Sequence, residues 1–410
     1  MNSKLVWLDK FKEKNTIDLI KLLLFFFIVF TFSVNLFYKI PLSNSYVHGL
    51  LIDYLIPKFY LAEIFLIPFL FFEVKQLKKV KLNNYFCFLV LLLIGRQLMS
   101  QNAIAAFTHL LHFVEILLFF SVVKHDPLFK TKLAEKFILG VLFSVVIFQS
   151  LLANYQFVFQ KSLLPYRILG ETNLHNLANV SRAQFSFGEK ILPYGTTAHP
   201  NILAGLIVIF SILIFVRIKH CRKTQIVLLA NAVLITFITQ SITAFITLWL
   251  FLAYQFLGNV KNRKLIIICI YYFFFLIVPY LLLKFTIIRP DLDSISRRVS
   301  LNQASLQIFE AKPFIGVGIN NFTVNLEKYT FNLPNQGIVR FVQPVHNILF
   351  LILSEGGVLL LVVLLILISQ AKIDGFWSKS LILLAIASLD HYLLSQFSGL
   401  SLLAIFYLFF

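Results

Sequence analysis

Pro344-Val-His346-Asn347-Ile-Leu-Phe-Leu-Ile-Leu-Ser-Glu355-Gly-Gly357-Val-Leu-Leu-Leu-Val-Val-Leu-Leu-Ile-Leu-Ile is the run that decides the class of fold. From Ile348 onward its one charged side chain is Glu355, and the run is long enough to cross a bilayer, which takes about 20 apolar residues. The rest of the chain repeats this composition: 59% of its residues are hydrophobic, 47 are Phe, only 13% are charged, and the mean hydropathy is +0.86. Those values exceed the usual apolar fraction of soluble domains and place the chain among integral membrane proteins. A net charge of +18 could suggest nucleic acid, but Lys and Arg fall in short clusters between apolar runs, the pattern that orients a membrane protein. Nucleic acid is therefore not expected as a partner. Cys87, Cys221 and Cys269 show no paired spacing, so neither a disulfide framework nor a zinc site is indicated. The first apolar run, residues 19–38, is too long for a signal-peptide core and reads as a retained anchor.

Working outward from the quoted run, candidate spans fall at 19–38, 55–72, 82–99, 103–123, 137–159, 199–216, 224–240, 241–257, 265–286, 346–369, 380–395 and 396–410, about twelve crossings in all. Residues 224–257 are short for two spans, but basic clusters at both ends require an even number of crossings, so two half-length helices meet near Gln240-Ser241. Short loops rich in Lys and Arg (the N-terminal lysines, Lys75 to Lys81, Lys124 to Lys136, Arg217 to Lys223, Lys261 to Lys264, Lys372 and Lys379) define the cytoplasmic side. Both termini then lie in the cytoplasm and both long loops lie outside it. The chain divides into helices 1–5 (1–159), a first outer loop (160–198), helices 6–9 (199–286), a large outer loop (287–343) and helices 10–12 (344–410). The expected fold is all-α, with short amphipathic helices in the large loop: Ser300 and Gln303 have capping-box spacing, and Leu301, Ala304, Ile308 and Phe309 recur at helical spacing up to Lys312-Pro313. A second short helix is expected from about Asn320 to Tyr329.

Polar residues gather at the outer side. Arg297 and Arg298, placed just before the expected helix, offer two guanidiniums beside free backbone N–H groups, a setting for a lipid phosphate or diphosphate; a basic loop resting on anionic head groups would look the same. Pro344 suits a helix's first turn and puts His346 within it, where the positive end of the dipole favours the neutral imidazole that a general base needs. A histidine hydrogen-bonded at the interface is the plainer alternative. Glu355 follows nine residues later, half a turn out of phase and roughly 13 Å deeper, so it is not expected to partner His346. Arg96, His199 and Asn201, Gln240 and Ser241, Arg340, Asn347, Asp390 and His391 are costly to hold in lipid or sit at helix mouths, and are candidate substrate-binding residues facing a shared cavity. Glu63, His109, His112 and Glu115 also lie in spans and receive no role. No metal-ligand spacing stands out, and Gly316-Val-Gly318 without a preceding strand reads as a turn.

Lys312-Pro-Phe-Ile-Gly316-Val-Gly318-Ile-Asn-Asn-Phe322, then His346-Asn347, then Leu353-Ser-Glu355-Gly-Gly357 resembles the O-antigen ligase and O-antigen polymerase family of bacterial membrane proteins. His199-Pro-Asn201 and Thr239-Gln-Ser-Ile-Thr-Ala244 resemble it too, so the likeness covers roughly residues 160–400. It implies a GT-C-like glycosyltransferase of the bacterial inner membrane, without cofactor or metal and inverting, that moves a glycan from undecaprenyl diphosphate to a glycan, lipid A-core or protein acceptor. In that comparison His346 activates the acceptor, and Arg297 and Arg298 hold the diphosphate. The hairpin tip departs from the family's Ser-Arg, since Ile242 follows Ser241; either Arg96, Arg182 or Arg340 takes that role, or the diphosphate is bound differently, or activity is lost. A transporter or flippase of lipid-linked glycans is the alternative reading, although no matching halves are visible.

Overall fold

The computed structural model describes residues 16–74, 84–163, 170–174, 180–218, 221–257, 263–281, 284, 293–330 and 342–410. They form α1 (Thr16–Phe32), α2 (Leu61–Phe72), α3 (Asn84–Leu98), α4 (Ala103–His125), α5 (Lys132–Phe159), α6 (Pro200–Arg217), α7 (Arg222–Ile238), α8 (Ile242–Leu257) and α9 (Arg263–Tyr272). Beyond these come α10 (Asp293–Ala311), α11 (Phe322–Thr330), α12 (Ile348–Ala371), α13 (Phe376–Ser380), α14 (Leu384–Leu389), α15 (Tyr392–Ser395) and α16 (Phe397–Phe409). Three antiparallel strand pairs decorate the loops. Strands β1 (Phe37–Lys39) and β4 (Lys58–Tyr60) pair, as do β2 (Tyr46–Val47) with β3 (Leu50–Leu51) and β5 (Arg182–Phe185) with β6 (Gly188–Ile191). The fold is therefore mostly helical but not purely so.

Among the described residues, five helical runs are long and apolar enough to cross a membrane: Ala103–His125, Lys132–Phe159, Pro200–Arg217, Lys264–Leu281 and Ile348–Ala371. The protein is a multi-pass membrane protein. Several expected spans are shorter or broken. Residues 55–72 yield a helix only from Leu61, because Lys58–Tyr60 pair as a strand with Phe37–Lys39. Residues 380–395 break at Asp390, whose backbone is extended (φ −147, ψ 161), between α14 and α15. The chain turns between α7 and α8 at Thr239–Ser241, where Gln240 takes a left-handed φ of 52°.

Helix α6 is the axis of the bundle. Every residue from Ile202 to Ile214 is buried, and α5, α7, α8 and α16 pack around it. Phe25, Phe119, Phe210, Phe251 and Phe406 fill the same core, and the large area each ring buries makes such Phe-rich contacts the main apolar packing. Helix starts are fixed by side-chain oxygens or nitrogens that take otherwise orphaned N–H groups. Asn102 accepts from Ala105 N at 3.0 Å and Thr131 from Ala134 N at 3.2 Å.

The segment that carries α10 and α11 is fastened to α12 by backbone. Gly357 interrupts α12 with φ 60° and ψ −160°, and the loop Pro313–Gly318 lies against that interruption. Val317 N donates to Ser354 O, Gly318 N to Glu355 O, Val358 N to Pro313 O and Leu359 N to Phe314 O, at 2.8–3.0 Å. The approach is so close that a Cβ on Gly316 would lie 2.3 Å from the Glu355 carbonyl carbon, and one on Gly357 2.5 Å from that of Phe314. Glycine is required at both places by space as well as by positive φ. Arg96, 8% exposed, donates from Nε and Nη2 to Gly316 O at 3.3 and 3.0 Å, and Gln97 Oε1 accepts from Ile319 N at 2.8 Å. Glu355 caps α11: its carboxylate accepts from Asn320 N at 2.8 Å, Phe322 N at 2.9 Å and the Tyr54 hydroxyl at 3.0 Å. Burial and the Glu355 charge raise the Tyr54 phenol well above its ordinary value, so it remains a donor. The glycine-rich motif is thus a clasp between the outer loops and a membrane helix.

Two expectations about helix starts are corrected. Helix α10 begins at Asp293, before Ser300, because its buried face continues upstream through Ser296, Val299 and Ser300. Arg297 and Arg298 therefore lie inside the helix, where their backbone N–H groups are no longer at a free N-terminus. Helix α12 begins at Ile348, with Asn347 as its cap, accepting from Phe350 N at 3.1 Å. His346 precedes the cap and is not in the first turn.

Candidate functional site

Four segments converge near α6, α10, α12 and α14. His199 caps α6: it has extended backbone, Pro200 follows at the first helical position, and its Nδ1 accepts from Asn201 N at 3.2 Å. The Nε2 of the same ring is 3.4 Å from the Ser181 hydroxyl. One turn deeper the chain is wholly apolar, so this polar mouth is set at the boundary between loop and bundle.

Asp390 enters the same space from the break between α14 and α15. Its Oδ2 accepts from Asn201 Nδ2 at 3.4 Å, and its Oδ1 accepts from the His391 backbone N–H at 2.8 Å. Oδ1 also lies 3.9 Å from His346 Nδ1, a buried nitrogen with no hydrogen-bond partner. A shortening of about 1 Å brings that pair into hydrogen-bond range. The His346 and His391 rings face one another with centroids 5.0 Å apart, and His391 Nδ1 meets the Ser395 hydroxyl. Arg298, His346 and Asp390 are all close enough to His199 for their charges to interact with it. The product is a cluster of three imidazoles, one carboxylate and one guanidinium assembled from positions nearly two hundred residues apart.

His346, His199, Asn201, Asp390, His391 and Arg298 are brought together. Arg297 is half-buried on the same helix as Arg298. Asn347 is occupied structurally: besides capping α12 it donates to Ser388 O at 3.2 Å and is 1% exposed. Arg96 holds the Gly316 carbonyl, as described above. Gln240 is exposed and donates to Phe237 O at 2.8 Å, while Ser241 is buried and accepts from Ala244 N at 3.4 Å at the start of α8. Both serve the hairpin tip, and Ile242 beside them is 71% exposed. Arg182 pairs with Glu189 across β5 and β6 at 3.0 Å. Arg340 lies outside the described residues.

The contact of His346 with Asp390 was not expected from the sequence, which ranked Asp390 only among substrate-binding residues. Its one signal was a carboxylate inside an apolar run. Also unforeseen is a cavity of about 290 Å³ next to His391, walled by the outer loop 35–60, by Thr108, His109 and His112 of α4, and by residues 342–344.

Among the described residues, two clusters have a composition able to hold a metal ion: His346, Asp390 and His391, and separately Glu63, His112 and Glu115, with their ligand atoms within 4.8 Å of one another. In the second, His112 Nε2 is 3.7 Å from Glu63 Oε1 and 3.1 Å from Lys58 O. Both are assembled by the fold from separate segments, which explains why no ligand spacing was visible along the chain.

In comparison with known proteins, residues 200–365 fit a family model described as O-antigen ligase. No curated protein matches the chain. The matched segment contains His199's helix, the arginines of α10, the glycine clasp and His346, and over that part of a multi-pass helical fold the chain is similar to the O-antigen ligase family.

Proposed function

We propose that the protein is a membrane glycosyltransferase that moves a glycan from undecaprenyl diphosphate to an acceptor hydroxyl or amide, at the outer face of the bacterial inner membrane. The observation that carries this reading is the setting of His346. Its Nδ1 lies 3.9 Å from the Asp390 carboxylate; a hydrogen bond formed as that pair closes would fix the tautomer with the proton on Nδ1 and leave Nε2 to act as a base. Asp390 then stabilises the imidazolium that forms when Nε2 takes the acceptor's proton, as the third member of a catalytic triad does. Arg298, at the near side of His199, and Arg297 supply fixed positive charge for the leaving diphosphate. Attack on the anomeric carbon opposite the departing diphosphate inverts that centre. The bundle as a whole, with its spans about twelve in number, is read as GT-C-like.

Reconstitution in vesicles with an undecaprenyl-diphosphate-linked oligosaccharide and candidate acceptors tests this. His346→Ala is expected to lower transfer by about 10²- to 10⁴-fold, the contribution of a general base, and Arg298→Ala to raise the KM for the donor. Transfer undiminished in both variants would refute the roles assigned. Movement of the lipid-linked glycan across the bilayer without transfer would favour a flippase.

A further inference from the structure

The cavity beside His391 points to a division of labour within the site. We propose that it seats the acceptor, and that what it takes is an uncharged, hydroxyl-rich stretch of glycan. This rests on the transferase reading above, and three observations carry it.

The first is charge. No arginine is among the described residues that line the cavity. Its charged wall residues answer each other: Asp53 accepts from Lys58 and lies 2.8 Å from Lys39 Nζ. Burial pushes the Asp53 carboxyl up, but the two ammonium groups outweigh it and hold it at about 2. A diphosphate finds no uncommitted cation there, whereas hydroxyls find amides, phenols and imidazoles.

The second is an open acceptor. Asn320 lines the cavity, is 6% exposed, and its Oδ1 is buried with no hydrogen-bond partner. Its Nδ2 is tied to Tyr54 O and its backbone N–H to Glu355, so the amide cannot turn to satisfy itself. It is held at a φ of 58°, a left-handed conformation that Asn tolerates better than most residues. A buried carbonyl oxygen fixed in this way calls for an O–H or N–H donor, and a sugar hydroxyl supplies one.

The third is origin. Most of the described lining, Tyr54, Lys58, Tyr60, Thr108 and His109 included, lies outside residues 200–365, the part matched by the family model, while Asn320 and residues 342–344 lie inside it. The groups proposed for the diphosphate, Arg297 and Arg298, lie inside it. On this reading the matched segment supplies the diphosphate groups and the Asn320 carbonyl, and the chain's N-terminal part shapes most of the wall that receives the glycan.

The direct test is protection from labelling. In a chain with Cys87, Cys221 and Cys269 replaced by Ser, Thr108→Cys places one thiol on the cavity wall. Oligosaccharide freed by mild acid from the lipid-linked donor, or from lipid A-core, is expected to slow maleimide labelling several-fold at millimolar concentration. Undecaprenyl diphosphate is expected to leave the rate unchanged. Slowing by the diphosphate lipid, or by neither saccharide, would overturn the proposal. In the transfer assay, Asn320→Gly keeps the backbone conformation and removes the amide; it is expected to raise the acceptor KM about tenfold with the donor KM unchanged, and a change confined to the donor KM would equally overturn it. Saccharide protection of the Thr108→Cys thiol, together with a wild type that performs no transfer, would leave the pocket standing and remove the transferase reading.

Discussion

Alanine at Gly316 should loosen the whole outer assembly. The new Cβ would lie 2.3 Å from the Glu355 carbonyl carbon, 2.4 Å from its oxygen and 2.6 Å from Gly356 N. These are backbone atoms, so no side chain can swing away. Separating the two strands endangers the four backbone hydrogen bonds between Pro313–Gly318 and Ser354–Leu359, each worth about 1 kcal/mol net, or about 4 kcal/mol together. The left-handed conformation at Gly316, φ 57°, adds roughly 1–2 kcal/mol for any L-residue with a Cβ. Gly375 isolates the second contribution, because it has φ 65° but its Cβ would meet only side-chain ends, the Ser378 hydroxyl at 3.1 Å and Lys379 Cε at 3.9 Å. Denaturant unfolding in mixed micelles should therefore show Gly375→Ala destabilised by about 1–2 kcal/mol and Gly316→Ala by about 5 kcal/mol. If the two alanines fall within about 1 kcal/mol of each other, the clasp does not hold the loop to the helix and the account given of this motif is wrong.

Other perturbations separate chemistry from scaffolding. Glu355→Gln turns one acceptor oxygen into a donor against the N–H groups of Asn320 and Phe322, and should cost about 2 kcal/mol of stability; Tyr54→Phe removes one donor to the same carboxylate and should cost about 1 kcal/mol, both read by the same unfolding assay. Asp390→Asn should lower kcat at least about tenfold with little change in donor KM, since it acts on His346 and not on the diphosphate; an unchanged kcat would remove Asp390 from the mechanism. Asp53 gives a pH signature. Its carboxyl titrates at about 2 when folded and near 3.9 unfolded, so the ionised form stabilises the fold above the unfolded value and this contribution fades as pH falls toward about 2. Asp53→Asn should be the less stable form at neutral pH and converge with wild type below about pH 2, followed by unfolding at each pH.

The parts legible in the sequence are those that depend on length and composition. Apolar runs between Lys and Arg clusters are long-range averages that a few misplaced residues do not disturb, and so the membrane class and the turn between α7 and α8 could be read directly. Helix starts were less legible. Pro344 suggested a first turn, but Asn347 is the better cap and took that place; Ser300 suggested a start, but the apolar face of α10 extends past it. The cluster around His346 could be gathered only loosely, as polar groups on one side. Its pairing with Asp390 depends on where the chain breaks between α14 and α15, and nothing local in Ser388-Leu-Asp390-His391 announces that break. Arg96 is the instructive case. A guanidinium in a membrane helix reads as functional by default, yet its partner is a carbonyl freed by a glycine turn more than two hundred residues away, which no pattern along the chain could reveal.

Helix α6 has a further consequence. Because protein covers it from Ile202 to Ile214, it has almost no contact with acyl chains, and variation in bilayer thickness is met by the outer helices through tilt and local deformation of the lipid. The imidazole and amide at its mouth, His199 and Asn201, are held at a depth set by the bundle and not by the lipid around it. On the proposed function, these groups are in this way insulated from the membrane in which a lipid-linked donor's tail would dissolve, so that changes in lipid composition should act on delivery of that donor before they act on the geometry that receives it.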